Sequence, residues 1–342
     1  MRNLMGLKKL LADISLFLPG KRVFFIYSHN NASDRFVNGL TANTEISHWS
    51  IQALKREFPR VTFLRLQGEK SLRLQRISEK DVVIGHIGET FQKASERTKR
   101  MIAFYPWTGH LDRNQSKKFN CIEIEKEMIS LKAAKSIIFL TSEYNVQKYM
   151  NSQSNFWYSF CQEYPVRYVH QPLDLHQFKR VKFSYETSNF LYIGNDAHMK
   201  CLDHSRSLVQ AVDRELSIYG LGKRKLGNLD SKAVAELSTE ADFFIQPGMW
   251  ECQCVSILEA AARGFIPVVS RETGYPYEHP FLLRYNDFEF NKLVLKDLLH
   301  STPGDRKNLA DSLHSQLEND VNHNNWEKLT SVLVDEVKKL YQ

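Results

Sequence analysis

Two carboxylates eight positions apart, Glu251 and Glu259, stand inside the run Ala241 to Ser270, ADFFIQPGMWECQCVSILEAAARGFIPVVS. Asp242 to Gln246 is a short apolar run that stops at Pro247-Gly248, as a parallel strand entering a loop does. From about Val255 the pattern turns helical. Ile257, Leu258, Ala261 and Ala262 form an apolar face, Gly264 stands where a C-terminal cap belongs, and Phe265 to Ser270 reads as a second strand. On one continuous helix the two glutamates would lie roughly 80° apart, so a shared face is better met with Glu251 in the loop and Glu259 in the early helical turns. Carboxylates there accept hydrogen bonds from vicinal hydroxyls, and the free N–H groups of the helix start, at Cys254, Val255 and Ser256, attract phosphate. A lone pair of glutamates at this spacing is more often a solvated residue and an ordinary helix residue, so the neighbouring segments carry the weight.

Upstream, Asn189 to Gly194 (NFLYIG) reads as a strand ending in glycine, followed by Asn195 and then Lys200, a point charge suited to phosphate. Leu216 to Gly220 (LSIYG) runs into Leu221-Gly222-Lys223-Arg224, where either basic residue could neutralise phosphate. In this order the segments resemble the retaining family-4 glycosyltransferases of GT-B fold, whose donor motif is an apolar strand, Pro, Glu, seven residues, Glu, an Ala-rich helix and Gly-x-Pro-Val-Val. Pro247, Glu251, Glu259, Ala260, Gly264, Pro267, Val268 and Val269 match it. The resemblance implies that Glu251 contacts the transferred sugar and Glu259 the nucleotide ribose. It also implies that Gly194, Asn195 and Lys200 stand at the donor diphosphate, with Asn195 in place of the usual arginine. Cys252-Gln253-Cys254 replaces the usual Gly-Phe-Gly.

The resemblance extends along the chain. Ala134 to Tyr144 is similar to the last strand of the N-terminal domain and the Ser-Glu opening its next helix; Tyr168 to Phe178 is similar to the linker strand; Trp326 to Tyr341 is similar to the closing helix. His86, ending DVVIGH, matches a strand-end histidine that can bond a sugar hydroxyl, and is equally readable as a structural loop residue. His110 and Trp107 carry the same ambiguity. Implied are two Rossmann-like, doubly wound α/β domains facing a central cleft. The acceptor domain would span 1–178, completed by 323–342, and the nucleotide-sugar domain 179–322. The implied reaction moves a sugar, with retention, from a UDP- or GDP-type donor to a glycan or lipid-linked acceptor, in the setting of bacterial surface polysaccharide or lipopolysaccharide synthesis. Lys200 would stabilise the leaving group, with Glu251 and His86 at the reacting sugar and no metal or other cofactor required. A degenerate GT-B protein that binds a partner or glycan without catalysis is the alternative, resting on Asn195, Cys252 and Cys254.

Composition fits this size and class. With 342 residues, 42% hydrophobic and 25% charged, the chain can build two sizeable cores. Apolar runs at Arg22–Tyr27, Val61–Leu66, Asp81–Ile87 and Met101–Trp107 alternate with polar or helical stretches, the pattern of parallel sheets. It restarts at Phe190 after the irregular stretch Lys179 to Asn189, which reads as the domain linker. Five scattered cysteines suit free thiols in a reducing, cytoplasmic compartment, and Cys252-x-Cys254 lacks the partner pair a zinc site needs. Basic residues are spread along the chain, which argues against nucleic acid. Over residues 1–22, Leu4, Leu7, Leu11, Ile14 and Leu18 repeat at helical spacing beside Arg2, Lys8 and Lys9. That pattern suits a helix packed on the first domain or one resting on the anionic inner face of a membrane, and its charges argue against a cleaved signal or a spanning helix.

Overall fold

The computed structural model describes residues 22–26, 42–59, 62–66, 72–106, 124–150, 156–170, 178–194, 200–219, 231–249, 251, 255–320 and 326–342. The expected apolar runs become strands: β1 (Arg22–Ile26), β2 (Thr62–Leu66), β3 (Val82–His86), β4 (Met101–Pro106) and β5 (Ser136–Leu140). Beyond them lies β6 (Val166–Val169), so Ser136–Leu140 is not the last strand of its sheet; the six run parallel in the order β2-β1-β3-β4-β5-β6. Side chains of β1 alternate between two apolar layers, Phe24 and Ile26 on one face, Val23 and Phe25 on the other, and both faces are covered as a parallel sheet requires. The close approach of β3 to β1 depends on Gly85, where a Cβ would come within 2.5 Å of the Ile26 carbonyl oxygen.

A second parallel sheet follows, formed by β7 (Phe190–Ile193), β8 (Leu216–Tyr219), β9 (Phe243–Gln246) and β10 (Ile266–Val269) in the order β10-β9-β7-β8. Pro267, which cannot donate a ladder hydrogen bond, sits in β10 at the sheet edge, where that loss is tolerated. The sheet lies between two apolar layers, one with Leu191 and Phe244, the other with Phe190, Phe243 and Ile245. The helix Trp326–Tyr341 returns to the first sheet. Its Leu329, Leu333 and Val337 are buried with Val23, Phe25 and Ile84, and Tyr341 Oη donates to the Arg22 carbonyl at 3.2 Å.

Between the sheets, Lys179 to Asn189 has no helix or strand. It is nevertheless fixed to the second domain, because the Val181 and Lys182 N–H groups both donate to the Arg263 carbonyl at 3.0 Å. Gly264 caps the preceding helix at φ 95°, and any Cβ there would lie 2.6 Å from the Lys182 carbonyl oxygen. The position therefore demands glycine on two counts. Asp242, at the entry to β9, is 0% exposed and holds the same linker. Its carboxylate faces Lys182 Nζ at 2.6 Å and Arg306 Nη1 at 3.6 Å, and accepts from Thr187 Oγ1 at 2.9 Å and the Ser188 N–H at 2.7 Å. Removing one partner of such a group strands the others without counter-charge. Asp242→Ala is expected to cost about 3–5 kcal/mol of stability in urea unfolding; a loss below about 1 kcal/mol would show that the cluster is not needed to hold β9.

Candidate functional site

In the second sheet β8 lies on one side of β7 and β9 on the other, so the winding direction reverses between β7 and β9. Crevices outside the carboxyl ends of strands at such a reversal are where parallel α/β sheets bind ligands. Lys200 follows β7 and Glu251 follows β9, and they meet across this point with Lys200 Nζ 2.8 Å from Glu251 Oε1. Both side chains are mostly buried, 18% and 11% exposed.

Local structure explains the meeting. Gly194, directly after β7, lies beside the lysine stem, and a Cβ there would make only an ordinary contact with Lys200 Cδ at 3.5 Å. Cys201 then adopts the left-handed region at φ 54° before the helix Leu202–Gln210 begins, a backbone state that costs a non-glycine residue energy and recurs at functional sites. The Cys201 thiol is bonded to backbone of Met249, and burial pushes it up to about 11, so it stays protonated and is a poor nucleophile. On the β9 side, Gln246 is 0% exposed and its Nε2 donates to Glu251 Oε1 at 3.1 Å. The Glu251 N–H donates to the Glu272 carbonyl at 2.9 Å.

Glu251 lies in the loop and Glu259 in the second turn of the helix Val255–Ala262, the division that the angular argument favours. Val255 and Ser256 form the first turn. Glu259 keeps 34% of its side chain exposed, and Arg263 Nη1 stands 3.9 Å from its Oε2. Burial raises the Glu259 carboxyl above the ordinary range, with Arg263 opposing. His86 belongs to the other sheet, at the carboxyl end of β3, buried and tilted against Phe104 with ring centroids 6.2 Å apart. Asn195, Trp107, His110, Gly222, Lys223, Cys252, Gln253, Cys254 and residues 1–21 lie outside the described residues. Among the described residues, no group of three or more His, Cys, Asp or Glu could hold a metal ion, and no helix is long and apolar enough to cross a membrane.

Two contributors escape the sequence reading. Gln246 is one, signalled only by a polar residue closing an apolar run. The other is Asn145, just after β5, whose Nδ2 donates to the Glu251 carbonyl at 3.0 Å across the domain boundary. The carboxyl ends of the two sheets therefore face each other, and Met249 is buried in the apolar cluster of the first domain with Phe139 and Trp157. Beside this contact a cavity of about 460 Å³ opens, lined among others by Arg271, Glu272, Glu278, His279, Arg284 and Tyr285.

No protein-family model matches the chain, and no curated protein does. Solved structures match it in fold. Sucrose-phosphate synthase from Thermosynechococcus elongatus superposes with a TM-score of 0.62 at 12% identity, covering 94% of this chain and 99% of that one. Anabaena Alr3699/HepE in complex with UDP-glucose gives 0.59 at 9% identity, covering 93% and 99%. The structure described as trehalose-6-phosphate from E. coli bound with UDP-2-fluoro glucose gives 0.59 at 10% identity, covering 92% and 99%. At such identities the likeness is one of fold, and the fold is GT-B: two Rossmann-like domains built on parallel sheets.

His279 makes the cavity region sensitive to acid. Its Nδ1 accepts from the Phe281 N–H at 3.3 Å, its Nε2 is buried without a hydrogen-bond partner among the described residues, and burial lowers its pKa from 6.5 to about 4. In the unfolded chain the ring charges below about 6.5, whereas in the fold it stays neutral until about 4, so stability is complete above the first value and lost towards the second. The expected loss is about 3 kcal/mol in urea unfolding between neutral pH and pH about 4. His279→Gln should flatten that slope; an unchanged slope would assign the acid sensitivity to other groups.

Proposed function

We propose that this chain is a retaining glycosyltransferase, taking a sugar from a UDP-sugar and delivering it to a glycan or lipid-linked acceptor. The observation that carries the reading is the Lys200–Glu251 pair at the winding reversal, beside the start of the helix that bears Glu259. A nucleoside-diphosphate sugar needs a cation for its diphosphate, acceptors for the hydroxyls of its ribose and sugar, and donors for phosphate oxygens. Lys200, Glu259, Glu251 and the helix start supply these in one crevice. The ligands of the similar structures favour uridine over guanosine: UDP-glucose, UDP-2-fluoro glucose and, for the pneumococcal O-GlcNAc transferase GtfA, UDP with GlcNAc.

In this reading the bond from the anomeric carbon to the diphosphate oxygen breaks while the acceptor oxygen bonds to the same face. The acceptor proton passes to the departing diphosphate, so no protein nucleophile is required. Lys200 lowers the barrier by neutralising charge that grows on the leaving group, and needs little reorganisation because Glu251 already orients it. Glu251, held by Gln246, accepts from sugar hydroxyls, while His86 approaches the sugar from the first domain. Asn195, Gly222, Lys223 and Cys254 extend the phosphate contacts. The lysine charge does the work that a metal would otherwise do, and we propose no metal requirement. The basic amphipathic pattern of residues 1–22 supports an acceptor presented at the inner face of a membrane, as in surface polysaccharide synthesis.

Non-catalytic binding is the second reading, supported by the mutual neutralisation of Lys200 and Glu251 and by the substitutions at Asn195, Cys252 and Cys254. Slow hydrolysis of the bound donor separates the two, since only a transferase site activates the anomeric carbon.

Calorimetry with UDP, GDP, ADP and their common sugars, with and without EDTA, tests the assignment. Lys200→Ala and Glu259→Ala are each expected to weaken nucleotide binding about 10- to 100-fold, and Lys200→Ala to slow turnover about 100- to 1,000-fold. Because burial raises the Glu259 carboxyl above its ordinary 4.5, affinity should begin to fall on acidification earlier than an ordinary carboxylate would allow, and Glu259→Gln should remove that dependence. Wild-type affinity in both alanine variants would sink the proposal.

A further inference from the structure

We infer that Asn145 is a positioning residue, which couples the contact between the two domains to the orientation of Glu251 and hence to recognition of the donor sugar. The inference rests on the reading of Glu251 as the sugar contact.

The segment after β5 is built to place one amide group. Thr141 and Ser142 are buried, and Ser142 Oγ accepts from the Asn145 N–H at 3.3 Å, which fixes the first turn of the helix Glu143–Asn145. Asn145 itself is 1% exposed. One N–H of its amide is held at home by Thr141 Oγ1 at 3.2 Å, and the other crosses to the Glu251 carbonyl at 3.0 Å. That carbonyl belongs to the other domain. Glu251 is therefore pinned from three sides: its carbonyl by Asn145, its N–H by the Glu272 carbonyl, and its carboxylate by Gln246 and Lys200. Loss of the first bond lets the peptide after Glu251 rotate, and the carboxylate loses its aim with it.

The same short segment makes the neighbouring cross-domain contacts. Lys148 Nζ stands 3.5 Å from Glu272 Oε1, and the Arg271 guanidinium lies 6.0 Å from the Tyr144 ring centroid. These are partly exposed and individually weak, whereas the Asn145 side chain that makes the bond is buried. Directly after Asn145, Val146–Met150 forms a π-helix, a form that is rare and recurs at functional sites. Its Val146 and Met150 pack against the first-domain core while Tyr144, Asn145 and Lys148 meet the second domain. The irregular helix thus reconciles two packing demands at the residue that reaches Glu251.

In this inference Asn145 acts through Glu251, so its effect falls on the sugar and not on the nucleotide. The test compares Asn145→Ala and the isosteric Asn145→Asp with Glu251→Gln, measuring calorimetric affinity for UDP, UDP-glucose and UDP-N-acetylglucosamine, with urea unfolding run on each variant. For a UDP-sugar that wild type binds more tightly than UDP, both Asn145 variants should lose most of that advantage, about tenfold, and approach Glu251→Gln, while UDP affinity stays within about twofold. Retention of the sugar advantage in both variants would overturn the inference. So would a parallel fall in UDP and UDP-sugar affinity together with lost stability, the signature of a purely structural role. A wild type that binds UDP but gains nothing from either sugar would overturn it too, while leaving the nucleotide site standing. Absence of any nucleotide binding would remove the proposed function and this inference together.

Discussion

A single buried carboxylate governs the geometry of the second domain. Asp242 has no access to water, so its charge is tolerable only because Lys182 and Arg306 face it and Thr187 and Ser188 donate to it. Those partners come from the linker and from the helix Pro303–Asn319, which also meet through the Arg180–Asp311 ion pair and the bond from Arg306 to Ser188 Oγ. The strand is only four residues long. What is fixed at Asp242 is therefore still fixed at Gln246, the residue that holds Glu251. The cost of burying this cluster is offset by the definition it gives to the far end of the strand.

The crevice is a consequence of sheet order. Had β9 followed β8 on the same side, Lys200 and Glu251 would lie strands apart; because the winding reverses at β7, they become neighbours. Their pairing at 2.8 Å then means that folding, and not ligand binding, bears most of the expense of desolvating both charges. For the proposed donor these groups would already be in place, so less of its binding energy would go into ordering them.

The strands and the helix of Glu259 were legible in the sequence because each rests on local physics: β-branched and aromatic runs, a glycine at the helix end, and the angular spacing along a helix. β6 is short and carries the charged Arg167, and its place beyond β5 follows from pairing that no local signal encodes. Asp242 looked like the first residue of an apolar strand because its partners lie 54 and more positions away. Asn145 was hidden for the same reason: 106 positions separate it from Glu251. Buried polar groups whose partners lie far along the chain are invisible to periodicity, and at this site they determine which way the functional carboxylate points.

The bond from Asn145 to Glu251 has a thermodynamic corollary. If docking of the first domain improves the aim of Glu251, then by linkage a ligand that needs Glu251 in that aim must strengthen docking by the same factor. Neither effect requires a large motion, since a peptide that can rotate and one that cannot differ by a single hydrogen bond, about 1 kcal/mol. That is enough to shift a balanced equilibrium severalfold and too little to lock it. The apolar contact of Met249 with the first domain adds a second tie beside this bond. Under the proposed function, recognition of one small ligand would thus be tied to the contact between two large bodies through an interaction that belongs to neither sheet.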